Sequence, residues 1–259
     1  MENLPEKFQS PVYEKLRTPL FVHSVSNPPH WSNDSIQDWA ELKVDNAMLF
    51  MRKHYWADKA SVNVFRVVGT KHQEYVGKTW LELLYSGKRM NHNLPYQERN
   101  PDYYLETKPR HPDMHFVTLD GLNYYIGSDG NHRTCIAKFM FSEIGETYLH
   151  AVKVEHFDID FDFYYAYLDL DKFIRKNQLP FDVFVQTNTV KREDTAGWKI
   201  DYFEPAVQIK HWDSGEMKLA RDAGRILDIL NSFKKQSVNQ HNDKTKRGVF
   251  NLINNLFAK

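Results

Sequence analysis

Two short alternating runs, His115-Phe116-Val117-Thr118-Leu119 and Leu122-Asn123-Tyr124-Tyr125-Ile126, flank the dipeptide Asp120-Gly121. Alternation puts every second side chain on one face, and Asp-Gly accepts the positive φ of a tight reversal, so the pattern predicts a two-residue β-hairpin. Its second arm runs directly into Gly127-Ser128-Asp129-Gly130-Asn131-His132-Arg133-Thr134, after which Cys135, Ile136, Phe139 and Met140 recur at helical spacing. A hairpin that turns at once into an amphipathic helix has to share one core between sheet and helix. The fold class expected is α+β.

Around this centre the chain can be laid out by local signals. Five prolines within the first 31 residues predict an extended strap. From Ser32 to about Tyr55, the apolar residues Ile36, Trp39, Ala40, Val44, Ala47, Met48, Met51 and Tyr55 recur as they would on a long amphipathic helix. Val62 to Val68 is β-branched and alternating, which predicts a strand ended by Gly69. Thr79 and Glu82 make a capping-box pattern that opens a short helix stopped near Gly87. The stretch from Lys88 to Pro112 shows no period and is expected as a long loop of functional character. After the junction helix, Ala151 to Phe157 reads as a strand. Asp158 to Asn177 reads as an acidic, aromatic helix, Phe181 to Trp212 as further strands, and Gly215–Gln236 and Val249–Phe257 as helices. We expect three divisions: an arm and helix over 1–60, a core over 61–158, and an α+β extension over 159–259 packed on that core.

Composition excludes several roles. The 259 residues carry 34 basic and 34 acidic side chains, so nothing draws the whole molecule to nucleic acid or to anionic lipid. Gly215 to Lys259 holds nine Lys/Arg against four Asp/Glu, the one place for a basic patch, although a solvated helix and tail explains it equally simply. One cysteine, Cys135, allows no internal disulfide and no cysteine zinc cluster, which points to a reducing compartment and a cytoplasmic location. No secretory signal and no membrane span is legible.

Chemistry concentrates at the junction. Gly127 and Gly130 let the backbone turn sharply and leave main-chain N–H groups uncovered. A helix starting there aims free donors and its positive dipole end at one point, a natural seat for phosphate. Arg133 adds a guanidinium fork that can hold phosphate oxygens, and His132 can donate a hydrogen bond or move a proton near neutral pH. Asp129 suits either of two roles, N-cap of the helix or ligand of a divalent cation such as Mg2+. By spacing alone the segment reads equally well as a capped turn with solvated His and Arg. Phosphate binding of this kind requires an open junction and an Arg133 that faces the anion. An Arg133 locked into an internal ion pair would remove the basis for it.

The hairpin arm ending in Tyr-Tyr-Ile-Gly, followed by Asp-Gly-Asn-His-Arg-Thr and a helix, resembles the ParB/sulfiredoxin superfamily, whose members carry a Gly-x-His-Arg or Gly-x-Arg-Arg signature at such a junction. The resemblance spans roughly Val62 to Phe157 and is specific over Asp129 to Thr134. It implies a small mixed-sheet domain that holds ATP or another nucleotide, with Gly130, His132 and Arg133 at the phosphate. Asn131 stands where sulfiredoxins have their nucleophilic cysteine, so sulfiredoxin chemistry is excluded. An acidic helix and strands follow where partitioning ParB proteins carry a helix-turn-helix, which disfavours operator binding.

On that basis the catalytic residues expected are His132, Arg133 and Asp129, with Asp129 holding the metal. Gly127, Ser128, Gly130, Asn131 and Thr134 are expected around the ligand. By position, Lys88, Asn91 and His92 join them, with Arg89 and Asn93 alongside and Asn100-Pro101-Asp102 closing the pocket. The function implied is ATP hydrolysis or metal-dependent DNA cleavage by a hydrolase or nuclease. The alternative is a binding module that holds nucleotide or DNA without turnover and meets a protein partner through its C-terminal half. His111 and His115 lie four apart, but Pro112 and the strand that follows keep them off one helical face, so zinc is not expected.

Overall fold

The computed structural model describes residues 4–235. The fold is α+β, and the chain divides into two units. The first comprises residues up to Asn46, Arg52–Ile159 and Thr189–Tyr202. The second comprises Ala47–Met51, Asp160–Asn188 and the residues from Phe203 on. The helix expected at Val249–Phe257 lies outside the described residues.

In the first unit the elements run α1 (Pro19–Ser26), β1 (Gln37–Asp38), α2 (Val44–Ala47), β2 (Met51–Asn63), β3 (Val67–Thr70), α3 (Trp80–Ser86), α4 (Met90–Arg99), α5 (Asp102–Leu105), β4 (His115–Thr118), β5 (Tyr124–Ile126), α6 (Asn131–Ile144) and β6 (Tyr148–Ile159). Its sheet is ordered β1-β3-β5-β4-β6-β2, and β2 is joined on its far side by β8 (Trp198–His211), which runs antiparallel to it from Lys53↔Tyr202 to Ala57↔Trp198. β3 lies parallel to β5, and β4 parallel to β6, while β4 and β5 form the antiparallel hairpin. The hairpin therefore exists as expected, but its connection is longer than two residues. Asp120 Oδ1 accepts from the N–H groups of both Leu122 and Asn123 at 2.8 Å, and Gly121 takes the positive φ of 69°.

The hydrophobic core lies between the sheet and α6. Cys135, Ile136, Phe139 and Met140 of α6 meet Phe116, Ile126, Val152 and Val154 of the strands and Trp80, Leu83 and Leu84 of α3. Each such side chain contributes about 1.5–3 kcal/mol when fully buried. Lys138 also points inward: its Nζ donates to the carbonyls of Val64 at 3.1 Å and Val67 at 2.9 Å and lies 4.3 Å from the centre of the Trp80 ring. Burial lowers its pKa to about 8.

α3 has the expected capping box. Thr79 Oγ1 accepts from Glu82 N at 3.0 Å, Glu82 Oε2 accepts from Thr79 N at 2.7 Å, and the helix ends at Gly87. Elsewhere the outcome differs. The proline-rich start is not extended. Pro19 sits at the first position of α1, where a missing N–H costs nothing, and Leu4, Phe8, Leu16, Leu20, Phe21 and Val25 insert into the core. No long helix spans Ser32–Tyr55. Its apolar residues are distributed among 3-10 turns, β1, α2 and the start of β2, and Lys43 adopts a left-handed φ of 51° that no continuous helix allows. Gly69 does not end a strand. It pairs within β3, where an added Cβ would lie 2.4 Å from Gln37 O and 2.5 Å from the Tyr125 ring. The stretch Lys88–Pro112 is not a loop either, since α4 and α5 occupy most of it.

In the second unit α7 (Phe161–Lys176) is capped by Asp160, whose Oδ1 accepts from Phe163 N at 3.0 Å, and it buries Phe163, Ala166, Leu170 and Ile174. Phe50 packs on Phe163 with ring centres 5.0 Å apart. Residues 203–211 of β8 pair antiparallel with β9 (Met217–Ala220), which replaces the start of the helix expected from Gly215; a helix follows over 223–235. β7 (Phe181–Asp194) brings Phe181 to Phe233 of that helix, 4.8 Å between ring centres. Among the described residues no helix is long and apolar enough to cross a membrane.

Candidate functional site

The junction after β5 is built by Gly130, whose φ of +120° only glycine adopts readily and whose position is the N-cap of α6. Asp129 is not the cap. No side chain caps this helix, so its first-turn N–H groups are left to other partners. They open onto a cavity of about 370 Å³ lined by Asp129, Gly130, Asn131, His132 and Arg133 on one side and by Arg89, Asn93, Tyr96, Tyr103, Tyr104 and Pro112 on the other.

Helix α4 explains which residues reach this cavity. Met90, Leu94 and Gln97 face the core, so Arg89, Asn93 and Tyr96, spaced four and three apart, share the face turned to the cavity. Asn91 and His92 fall on the exposed side and do not line it. Lys88 is drawn away by Glu74, 2.9 Å from its Nζ. Asn100 and Pro101 close nothing over the cavity; they end α4 and lead into α5, which places Tyr103 and Tyr104. These two tyrosines and Tyr96 escaped the sequence reading because the helices that position them did.

The three residues expected to be catalytic are together but are already engaged. Arg133 Nη2 lies 2.6 Å from Asp129 Oδ2, its Nη1 donates to Tyr103 Oη at 2.7 Å and to the carbonyl of Pro112, and the side chain is 11% exposed. Arg133 thus points at the cavity but is held in an internal ion pair, so the free fork anticipated from the sequence does not exist. Asp129 uses its second oxygen to accept from Gly130 N at 2.7 Å. Among the described residues no group of three His, Cys, Asp or Glu side chains could hold a metal ion. With both its oxygens taken by donors, Asp129 does not fit a protein-held Mg2+ site.

His132 does not suit proton transfer at neutral pH. Its ring packs on Gly87, where a Cβ would come within 2.8 Å, its Nε2 accepts from Arg89 N at 3.4 Å, and Tyr75 Oη is 3.3 Å away. Burial, aided by the charge of Arg89, lowers its pKa to about 4, so the imidazole is neutral. Asn131 is turned from the ligand space by its amide oxygen, which accepts from Thr70 Oγ1 at 2.7 Å and ties helix to sheet. Thr134 is fully buried, and Gly127 and Ser128 face a different partner, the ring of His115. None of these last three lines the cavity.

A second guanidinium stands behind the tyrosines. Arg110 is 5% exposed, lies 5.4 Å from the centre of the Tyr103 ring and donates from Nη2 to Glu106 O at 2.7 Å. Its Nε and Nη1 have no hydrogen-bond partner among the described residues. Burial lowers its pKa. The cavity and its immediate surroundings therefore hold three arginines against one carboxylate, a local field that favours an anion.

Comparison with known proteins adds no relative: no family model matches the chain, and neither a curated protein nor a solved structure resembles it.

Proposed function

We propose that the chain binds a small phosphate-bearing ligand of nucleotide type between α4, α5 and the start of α6, and that it does so as a binding module, not as a hydrolase. The observation that carries this is the cavity of about 370 Å³ opening onto the uncapped first turn of α6. The helix N-terminus and the arginines supply the anion end, and Tyr96, Tyr103 and Tyr104 offer aromatic faces for a planar base. This agrees with what the resemblance of Asp129 to Thr134 to the ParB/sulfiredoxin signature implies about nucleotide binding.

Turnover is disfavoured by the state of the three residues that would perform it. A histidine with a pKa of about 4 is a weak base at neutral pH, and an arginine already paired with a carboxylate has little charge left for a developing phosphoryl charge. The test is calorimetric titration of the full chain with ATP, ADP and CTP, with and without Mg2+, alongside phosphate-release and DNA-cleavage assays on the same sample. Binding of at least one nucleotide, weakened at least tenfold by Tyr103→Ala, with no product formed, supports the module. Failure of all three to bind at millimolar concentration refutes nucleotide binding. Hydrolysis abolished by His132→Ala restores the enzyme.

A further inference from the structure

On the other side of the Gly127–Gly130 turn, a set of residues that no sequence motif announces is brought together by three strands. His115 opens β4, Glu155 lies beside it on β6, His54 comes from β2, and Ser128 stands in the turn after β5. Ser128 Oγ is 3.0 Å from His115 Nδ1. His115 Nε2 is 3.0 Å from Glu155 Oε1, in ion-pair contact though with the carboxylate off the axis of the N–H. The other carboxylate oxygen is 3.1 Å from His54 Nε2, and the His54 ring is stacked on Phe157 with centres 4.7 Å apart.

The tautomer follows from the bonds. Ser128 N donates to His115 Nδ1 at 3.2 Å, so Nδ1 bears a lone pair and the proton of the neutral ring is on Nε2, facing Glu155. The Ser128 hydroxyl thus lies within reach of a basic nitrogen whose ring is backed by a carboxylate. Nucleophilic catalysis by serine requires this chain of contacts, and apo geometry of this looseness commonly tightens with substrate. The ring is also fitted to its place: a Cβ at Gly127 would lie 2.4 Å from His115 Nδ1, so only glycine there leaves room for it. Ser128 is exposed, and with His115 and Glu155 it lines a cavity of about 260 Å³ that includes the Trp56 indole, Asp58, Asp113 and Lys153.

We propose that Ser128, His115 and Glu155 form a nucleophile, base and carboxylate that hydrolyse small carboxylic esters at this second cavity. Three carboxylates against the single ammonium of Lys153, itself 2.6 Å from Asp113, repel anionic substrates and select neutral or cationic ones. Ser128 Oγ attacks the acyl carbon, forming the new C–O bond, while its proton passes to His115 Nδ1 and Glu155 balances the imidazolium. The tetrahedral adduct collapses with cleavage of the bond to the alkoxide, which takes that proton and leaves as the alcohol. Water then attacks the acyl-serine, its proton going to Nδ1 and on to Ser128 Oγ as the carboxylic acid departs.

The experiment uses the full chain with p-nitrophenyl acetate as substrate and a fluorophosphonate as covalent probe, the modified residue being located by peptide mass mapping. The expected result is labelling at Ser128 and hydrolysis that falls at least about 100-fold in both Ser128→Ala and His115→Asn, with unchanged far-ultraviolet circular dichroism. Ser128 is exposed, so its alanine variant tests chemistry and not folding. Glu155 acts through His115, and its measure is the pH profile: in Glu155→Gln the acid limb of kcat/KM moves to lower pH, because an anion next to the ring favours the imidazolium. Lys153, Asp113 and His54 are the other charged or titratable groups around that ring, and all are retained in this variant. Labelling at another residue, or equal hydrolysis by wild type and Ser128→Ala, overturns the proposal. So does an acid limb unmoved by Glu155→Gln.

Discussion

Replacing Asp129 by asparagine gives the sharpest test of the nucleotide cavity, because the carboxylate occupies the place a phosphate would take. Asp129 Oδ2 is 2.6 Å from Arg133 Nη2, so a phosphate oxygen bound to that nitrogen must displace it or crowd it. The two anions would then lie roughly 4–5 Å apart. Asp129 is more than half exposed, which calls for an effective dielectric of about 40–80, and the repulsion per unit charge comes to about 1–2 kcal/mol. Removing the charge while keeping an oxygen for the Gly130 N–H should therefore tighten ATP binding about five- to thirtyfold. The assay is isothermal titration calorimetry of wild type and Asp129→Asn at one fixed ionic strength, repeated at high salt, where the advantage should shrink. An asparagine variant that binds ATP no more tightly than wild type, while remaining folded, would refute the idea that Asp129 competes with the ligand for Arg133.

Other outcomes follow from the fold. Gly130→Ala puts a side chain at φ +120°, with Met114 at ordinary contact distance, so the cost is conformational, about 1–3 kcal/mol in chemical denaturation, together with weaker nucleotide binding. Thr79→Ala removes half of the capping box on α3 and should cost about 1 kcal/mol in the same measurement. Lys138, with its pKa lowered to about 8, sheds its proton in the native state before it does so in the unfolded chain. The unfolded chain then binds more protons above pH 8, so this group makes stability rise with pH from about 8 to 10.5, by at most about 3 kcal/mol. The difference between wild type and Lys138→Met in denaturation midpoints across that range should show the rise; a flat difference would contradict it.

Local signals carried through to structure where one interaction sufficed to fix them. The Thr79–Glu82 box, the Asp120-Gly121 reversal and the apolar stripe from Cys135 to Met140 needed only near neighbours. The segment Ser32–Tyr55 failed because its pattern of apolar residues satisfies several short elements as well as one helix, and pairing of β2 within the sheet decides between them. α4 was hidden by Pro95 in its interior and by Gln97 standing at a buried position. At the junction, the elements were legible but the partners were not. Asp129 and Arg133 are four residues apart, a spacing at which opposite charges meet along a helix, and that contact converts two expected ligand groups into each other's counter-ion. Ser128, His115 and Glu155 are distant in sequence and meet only because β4 lies between β5 and β6.

The close approach at Gly69 bears on how this protein stays apart from its own copies. β1 is two residues long, closes the outer margin of the sheet next to β3, and can sit there only because position 69 has no side chain. A methyl group at Gly69 would pry β1 off and bare a row of unpaired donors and acceptors on β3, the template from which strand-to-strand aggregation starts. This glycine is thus a solubility determinant, and light scattering from Gly69→Ala should register its loss before any ligand assay does.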